Sequence, residues 1–316
     1  MYKEKYIAVV VPAYNEELLI QKTLSGIPDF VDRVIVVNDK SKDRTSEKVQ
    51  EMVARSDRIV LIEHEVNQGV GKSISTGYLW CRDHDVDVAV VMAGDNQMDP
   101  ADMPALLDPV VENRADYSKG NRLFTGEAWT TIPRVRYLGN SVLSFLTKIA
   151  SGYWHVADSQ TGYTAINKKA LKLIPLEEIY PRYGMPNDLL VTLNIYNMRV
   201  IDVPVRPVYG EEVSGINIGK VIFTLSFLLM KLFIKRMVQK YIIRDFHPLV
   251  LFYFMGFLMF LLDIPLLIRF FILWIQAGYV PEITLLSLIF CTFSGMQLTL
   301  FAMLFDMEAN RNLKIS

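Results

Sequence analysis

Apolar and polar positions divide the chain into three regimes. Over residues 1–210, short runs rich in Val, Ile and Leu alternate with amphipathic stretches at 15–27, 44–55, 71–84 and 101–113. The apolar runs are YIAVVVP (6–12), DRVIVVND (32–39), RIVLIEH (58–64) and VDVAVVMAGD (86–95). Unbroken apolar runs suit strands covered on both faces, as in a parallel sheet, so the alternation predicts repeated βα units. Residues 211–247 open with the polar hinge-like EEVSGINI and continue as an apolar stretch punctuated by Lys and Arg. Residues 248–307 hold two long apolar runs, 248–275 and 283–305, joined by QAGYVPE. Each is long enough to cross a bilayer, which takes roughly 20 residues, and the short join predicts a two-helix hairpin.

Composition agrees with that division. A hydrophobic fraction of 51% and a mean hydropathy of +0.24 are high for a chain with no membrane segment. The N-terminal apolar run stops at Pro12 before two Glu, which fits a strand and not a signal peptide. Lys220, Lys231, Lys235, Arg236, Lys240 and Arg244 precede the hairpin, Arg311 and Lys314 follow it, and the connecting loop has neither Lys nor Arg. The expectation is a multi-pass inner (cytoplasmic) membrane protein whose catalytic part and both termini, including a tail at 308–316, are cytoplasmic. Lys231 and Lys235 share a helical face, which suits either a helix on an anionic leaflet or a soluble helix packed on the domain. Asp263 and Arg269 interrupt the first apolar run, with Pro265 expected to break the helix between them. The net charge of −1 gives no reason to expect nucleic acid, and two cysteines and four scattered histidines form no disulfide framework or zinc site.

An open α/β sheet binds ligands at the carboxyl ends of its strands. Polar clusters stand there: Ala13-Tyr14-Asn15-Glu16, Asn38-Asp39, Asn67-Gln68-Gly69 and Gly94-Asp95-Asn96-Gln97. NQGVGKS (67–73) fails as a Walker loop because Val66 stands where its first Gly belongs. Its glycines either open a helix whose N-terminal amides face a diphosphate or simply make a tight turn. No GxGxxG follows the first strand, which argues against a dehydrogenase.

VPAYNEE, VNDKSKDRT, NQGVGKS and AGDNQMDP, in this order, resemble glycosyltransferase family 2, with a GT-A (Rossmann-like) nucleotide-sugar-binding fold. Within it they are similar to the polyprenyl-phosphate glycosyltransferases: dolichol-phosphate mannose synthase and the bacterial undecaprenyl-phosphate sugar transferases. The likeness spans roughly residues 6–208. It implies an α/β catalytic domain at 1–210, interfacial amphipathic helices at 211–247 and a transmembrane hairpin at 248–307.

The resemblance also implies roles. Pro12, Ala13, Tyr14 and Glu16 would hold the nucleoside, and Asp39 would contact base or ribose, with Asn38 in place of the usual first Asp and Lys40 where Gly is usual. Asn67, Gly69, Lys72 and Gly94 would complete the nucleotide site. In the metal motif the first Asp is replaced by Ala93, leaving Asp95 and Gln97 to hold Mg²⁺ or Mn²⁺ with help from diphosphate oxygens and water. Arg122 in GNRL and Arg136 with Arg134 and Asn140 in IPRVRYLGN would grip the acceptor phosphate, unless they are solvated surface charges. Asp158 and Gln160 of DSQTGYTAI belong with Asp95 at the reaction centre, and Asp188 is either part of an acidic pair that includes a base or a helix cap.

The expected reaction is inverting transfer of a monosaccharide from a nucleotide-diphosphate sugar, a UDP-sugar by resemblance, to a polyprenyl phosphate, by an enzyme that self-associates through its hairpin. Two rivals stay open. A degenerate site would leave a non-catalytic nucleotide-binding membrane scaffold, for which Ala93 speaks. A processive polysaccharide synthase would need a Gln-x-x-Arg-Trp motif, which the sequence lacks.

Overall fold

In the computed structural model, described for residues 1–123, 134–206 and 218–315 and without the side chains of 134–138, 140, 218–223 and 277, the four apolar runs are strands. They are β1 (Ile7–Ala13), β2 (Arg33–Asn38), β3 (Ile59–Glu63) and β4 (Val88–Val91), and β1 and β4 are buried along their whole length. Helices α1 (Ile20–Gly26), α2 (Thr45–Val53) and α3 (Val70–Asp83) form the crossovers, and α4 (Met103–Val111) follows β4. These four strands are parallel. Three further strands extend the sheet: β5 (Tyr117–Asn121), β6 (Thr164–Asn167) and β7 (Val200–Pro204). The strand order is β3-β2-β1-β4-β6-β5-β7, with β6 antiparallel to both neighbours, so the sheet is mixed rather than wholly parallel. Two apolar layers cover its faces, one around Val10, Ile35, Tyr78 and Leu190, the other around Val9, Val36, Leu106 and Val110.

Helices α5 (Arg134–Ser151), α6 (Lys168–Leu173), α7 (Met185–Ile195) and α8 (Ile218–Val238) follow along the chain. Leu225, Leu228, Leu229 and Leu232 of α8 bury against Leu143 and Ala150 of α5 and Val191 and Ile195 of α7. Arg236, fully buried, donates to the carbonyls of Ala150 (2.8 Å) and Ile149 (3.0 Å), capping the end of α5. Lys235 pairs with Asp188 at 3.4 Å, so only Lys231 of the expected lysine face is exposed. The other side of α8 exposes Phe227, Met230, Ile234 and Val238, spaced as one helical stripe. Contacts divide the chain into residues 1–236 with 312–316 and a second unit, 237–311, with most of α8 in the first. The hinge EEVSGINI lies, but for its last residue, outside the described residues.

The second unit is the hairpin, α9 (Leu249–Ala277) and α10 (Glu282–Ala309). Both helices are long and apolar enough to cross a membrane, and only 6% and 22% of their most apolar windows are buried. Core helices of a soluble fold would be covered; these present their side chains outward. Gly256 and Gly295 let the helices close: a Cβ at Gly256 would lie 2.6 Å from Thr299 Oγ1. Helix α9 runs unbroken through Pro265, contrary to expectation. Asp263 faces α10 and accepts from Thr292 Oγ1 at 3.0 Å, whereas Arg269 is exposed.

Candidate active site

Each of the loops after β1 to β4 turns on one residue with a left-handed backbone: Asn15 (φ 58°), Lys40 (59°), Gly69 (95°) and Asn96 (57°). Asn tolerates this region and Gly prefers it. The turns bring the polar strand ends to one edge of the sheet.

On the β1–β3 side, Asp39 is the hub. Its carboxylate is buried and accepts from the amides of Gln68 (2.8 Å) and Gly69 (2.7 Å), while His64 Nδ1 lies 2.8 Å away. Asn67 donates to the Asp39 carbonyl at 3.1 Å, and the Asp39 amide bonds the Ala13 carbonyl at 2.9 Å. Asn38 bonds Ser41 and Glu63, and the Glu16 amide donates to Thr45 Oγ1 at 2.8 Å. Pro12 accepts from the Gly94 amide at 3.3 Å, and Tyr14 keeps a partly exposed ring. The expectation that the N-terminus of α3 faces a diphosphate does not hold in full. The amides of Gln68 and Gly69 are taken by Asp39, that of Lys72 by the carbonyls of Gly69 and Pro181, and that of Ser73 by Gly69. The glycines serve packing instead: a Cβ on Gly71 would collide with the Tyr180 carbonyl and Met185.

On the β4–β5 side, Asp95, Gln97, Met98, Arg122, Thr161 and Arg206 line a solvent-open cleft. Asp95 Oδ1 accepts from the Gln97 amide at 3.0 Å, and burial pushes its carboxyl above the usual carboxylate range. Such a desolvated carboxylate beside an amide suits a divalent cation. Among the described residues no group of three His, Cys, Asp or Glu could hold a metal ion, so the cation would take its other ligands from the substrate and water. Arg122 grips the fully buried Asp158 with two arms, Nε–Oδ2 at 2.8 Å and Nη2–Oδ1 at 3.3 Å, and adds its own amide at 3.3 Å. Burial pushes the Asp158 carboxyl up, but the charge and hydrogen bonds of Arg122 together with the charge of Lys119 outweigh it and hold the group below its ordinary value. Gln160 donates its amide to Asp158 (3.1 Å) and its side chain to Asn187 Oδ1 (3.1 Å), which also accepts from Thr147 Oγ1 of α5 (2.9 Å).

Asp188 sits inside the first turn of α7, whose N-cap is Gly184, so it is not the cap of that helix. Its carboxylate accepts from the Tyr180 amide (2.8 Å) and Lys235 (3.4 Å), and Asp188 is not among the residues that line the cleft. Arg134, Arg136 and Asn140 fall on α5, and their side chains lie outside the described residues. Reading the sequence missed Lys119, Asp202 and the linking role of Asn187. The first two are charges inside short strands, YSKGN and VIDVP, a pattern that could have flagged them.

A family model for glycosyl transferase family 2 matches residues 8–174, more than half of the chain. The chain is 29% identical over 221 residues to a UDP-N-acetylglucosamine–dolichyl-phosphate N-acetylglucosaminyltransferase of Methanococcus voltae, covering 66% of this chain and 88% of the relative. It is 26% identical over 227 residues to an undecaprenyl-phosphate mannosyltransferase of Micrococcus luteus, covering 70% and 92%. In fold it resembles glucosyl-3-phosphoglycerate synthase of Mycobacterium tuberculosis, crystallised with Mn²⁺ and UDP, at a TM-score of 0.53 and 19% identity over 74% of this chain and 80% of that one. With its sheet order, its polar strand ends and this match together, the chain belongs to glycosyl transferase family 2 and is a glycosyltransferase of GT-A fold.

Proposed function

We propose that the protein transfers a monosaccharide from a nucleotide-diphosphate sugar, a UDP-sugar, to a polyprenyl phosphate, with inversion at the anomeric carbon. The observation that carries this is the convergence of Asp95, Gln97 and Arg122, with Asp158 behind Arg122, on one cleft at the sheet edge. The names of the relatives support the acceptor class, and the UDP of the fold neighbour supports the donor.

The acceptor phosphate oxygen is ionised at neutral pH and attacks without a strong base. Catalysis then rests on position and charge. Arg122, held in place by Asp158 in the cleft wall, meets a phosphate, and Arg136, Arg134 and Asn140 on α5 serve the same group. Gln160, fixed between Asp158 and Asn187, orients sugar hydroxyls. The loops of Pro12, Ala13, Tyr14, Glu16, Asp39, Asn67, Gly69, Lys72 and Gly94 form the nucleoside side. Asp95 and Gln97 would hold Mg²⁺ or Mn²⁺, which when bound supplies counter-charge to the leaving diphosphate. The exposed apolar stripe of α8 lies in the headgroup region, and the hairpin spans the bilayer with catalytic part and termini cytoplasmic. Copies associate through the hairpin.

The test is product formation in detergent with undecaprenyl phosphate, Mg²⁺ or Mn²⁺, and a panel of UDP- and GDP-sugars. Metal-dependent transfer from one donor, lost in Asp95→Ala, is the expected result. No transfer across the panel by folded protein would sink the proposal.

A further inference from the structure

Behind the cleft, on β5, stands a lysine that the transfer reaction does not call for. Lys119 is fully buried and donates from Nζ to the carbonyl of Thr161, a residue of the cleft wall. A lysine is almost never fully buried unless paired. Its charged neighbours are Asp158 and Arg122 on the site side and Asp202 of β7, with the Tyr117 phenol beside Asp202. Asp202 Oδ2 accepts from the Ala157 amide (2.6 Å) and Asn121 Nδ2 (2.9 Å), while its buried Oδ1 has no hydrogen-bond partner among the described residues. Of these four charged groups Lys119 and Asp158 are fully buried, while Asp202 and Arg122 are half-buried. Burial draws the Lys119 ammonium down to about 8 and pushes Asp202 up to about 6. Both shifts oppose folding at neutral pH, whereas the lowered carboxyl of Asp158 favours it. The cluster stands where charge balance sets the state of Asp158 and, through it, of Arg122.

We infer that Lys119 is a positioning residue of this site: its ammonium anchors the 158–163 loop through Thr161 and supplies the counter-charge that keeps Asp158 ionised and paired with Arg122. The role rests on the transfer reading above. Removing the charge while keeping the length, Lys119→Met, takes an opposite charge from both carboxylates. Their titration then moves up, by about one to two pH units for a buried neighbour.

The full chain in detergent is assayed two ways against pH: the thermal midpoint, which needs no substrate, and kcat/KM for transfer. In Lys119→Met both acid limbs are expected to move up by about one to two units, with the loss of transfer deepest at acid pH and small at neutrality, where Asp158 stays ionised. Lys119→Met/Asp202→Asn removes one carboxylate with the cation and is expected to bring the limbs back towards wild type. Asp202→Asn alone leaves Lys119 wholly to Asp158 and is expected to lower the limbs; it carries the test if Lys119→Met does not fold. A loss equal at every pH, a double variant no better than the single one, or an unmoved limb in Asp202→Asn overturns the inference. If wild type transfers nothing, the midpoint profiles decide on Lys119 alone: shifted limbs support its hold on the carboxylates, and unshifted limbs overturn it.

Discussion

The loops after β1, β2 and β3 spend their polar groups on one another, whereas the cleft around Asp95, Arg122 and Asp158 keeps charge in reserve. On the first side Asp39 satisfies two backbone amides and Asn38 ties Ser41 to Glu63. On the second, Asp95 and Asp202 are raised by burial and Lys119 is lowered by it. Under the proposed function the difference separates two tasks within one site. A surface that receives a rigid nucleoside has to be preformed, so its hydrogen bonds close inward. A surface that meets phosphate, diphosphate and cation has to hold charge that the ligands complete.

Substitutions on the two sides should therefore fail in different ways. The largest effect is expected at Asp95: Asp95→Ala should lower kcat by on the order of 10² to 10³ while leaving the thermal midpoint near wild type. A large drop in midpoint would erase the contrast. Asp39→Ala should do the reverse, destabilising the domain by about 3 kcal/mol in denaturant unfolding, because it leaves buried amides unsatisfied. Gly71→Ala should follow at about 1–3 kcal/mol, since the new methyl meets the Tyr180 carbonyl and Met185. A neutral Gly71→Ala would mean that the 180–185 segment yields freely.

The smallest effect sharpens the charged side. The folded-state carboxyl of Asp202 titrates near 6, above its ordinary 3.8, so the folded chain binds this proton more tightly than the unfolded one. Stability from this group therefore grows as pH falls from about 7 through 6 towards 4 and is absent at higher pH. Acid-induced unfolding of other groups overlays it. The clean readout is the difference in midpoint between wild type and Asp202→Asn, which should favour the variant most at neutral pH and shrink on acidification.

Much of this arrangement is legible from residue order. The first four strands, their helices and the hairpin follow from apolar run length and period, because an element buried on both faces or in lipid must be apolar throughout. The strand-end motifs mark the site edge for the same reason that loops carry function: backbone leaves the sheet there and polar groups face out. The later strands β5, β6 and β7 are short, YSKGN, TAIN and VIDVP, and two of them carry a charge. No periodicity betrays such strands. They are held by their neighbours in the sheet and by a buried cluster in which each charge is balanced by another distant in sequence.

Asp188 and Lys235 teach the same lesson at longer range. Sequence position alone leaves Asp188 between base and cap, and Lys235 between leaflet and domain. Packing of α8 against α5 and α7 makes them partners across 47 positions.

The sequence by itself determined the element order of the parallel half, the polar strand ends and the two long apolar helices, because burial and hydrogen-bond satisfaction act residue by residue along the chain. Only the tertiary structure decided the antiparallel insertion of β6, the inward bonding of Asp39 and the meeting of Lys119, Arg122, Asp158 and Asp202. Electrostatic energy depends on distance and desolvation in space, and neither is written in the spacing of residues along the chain.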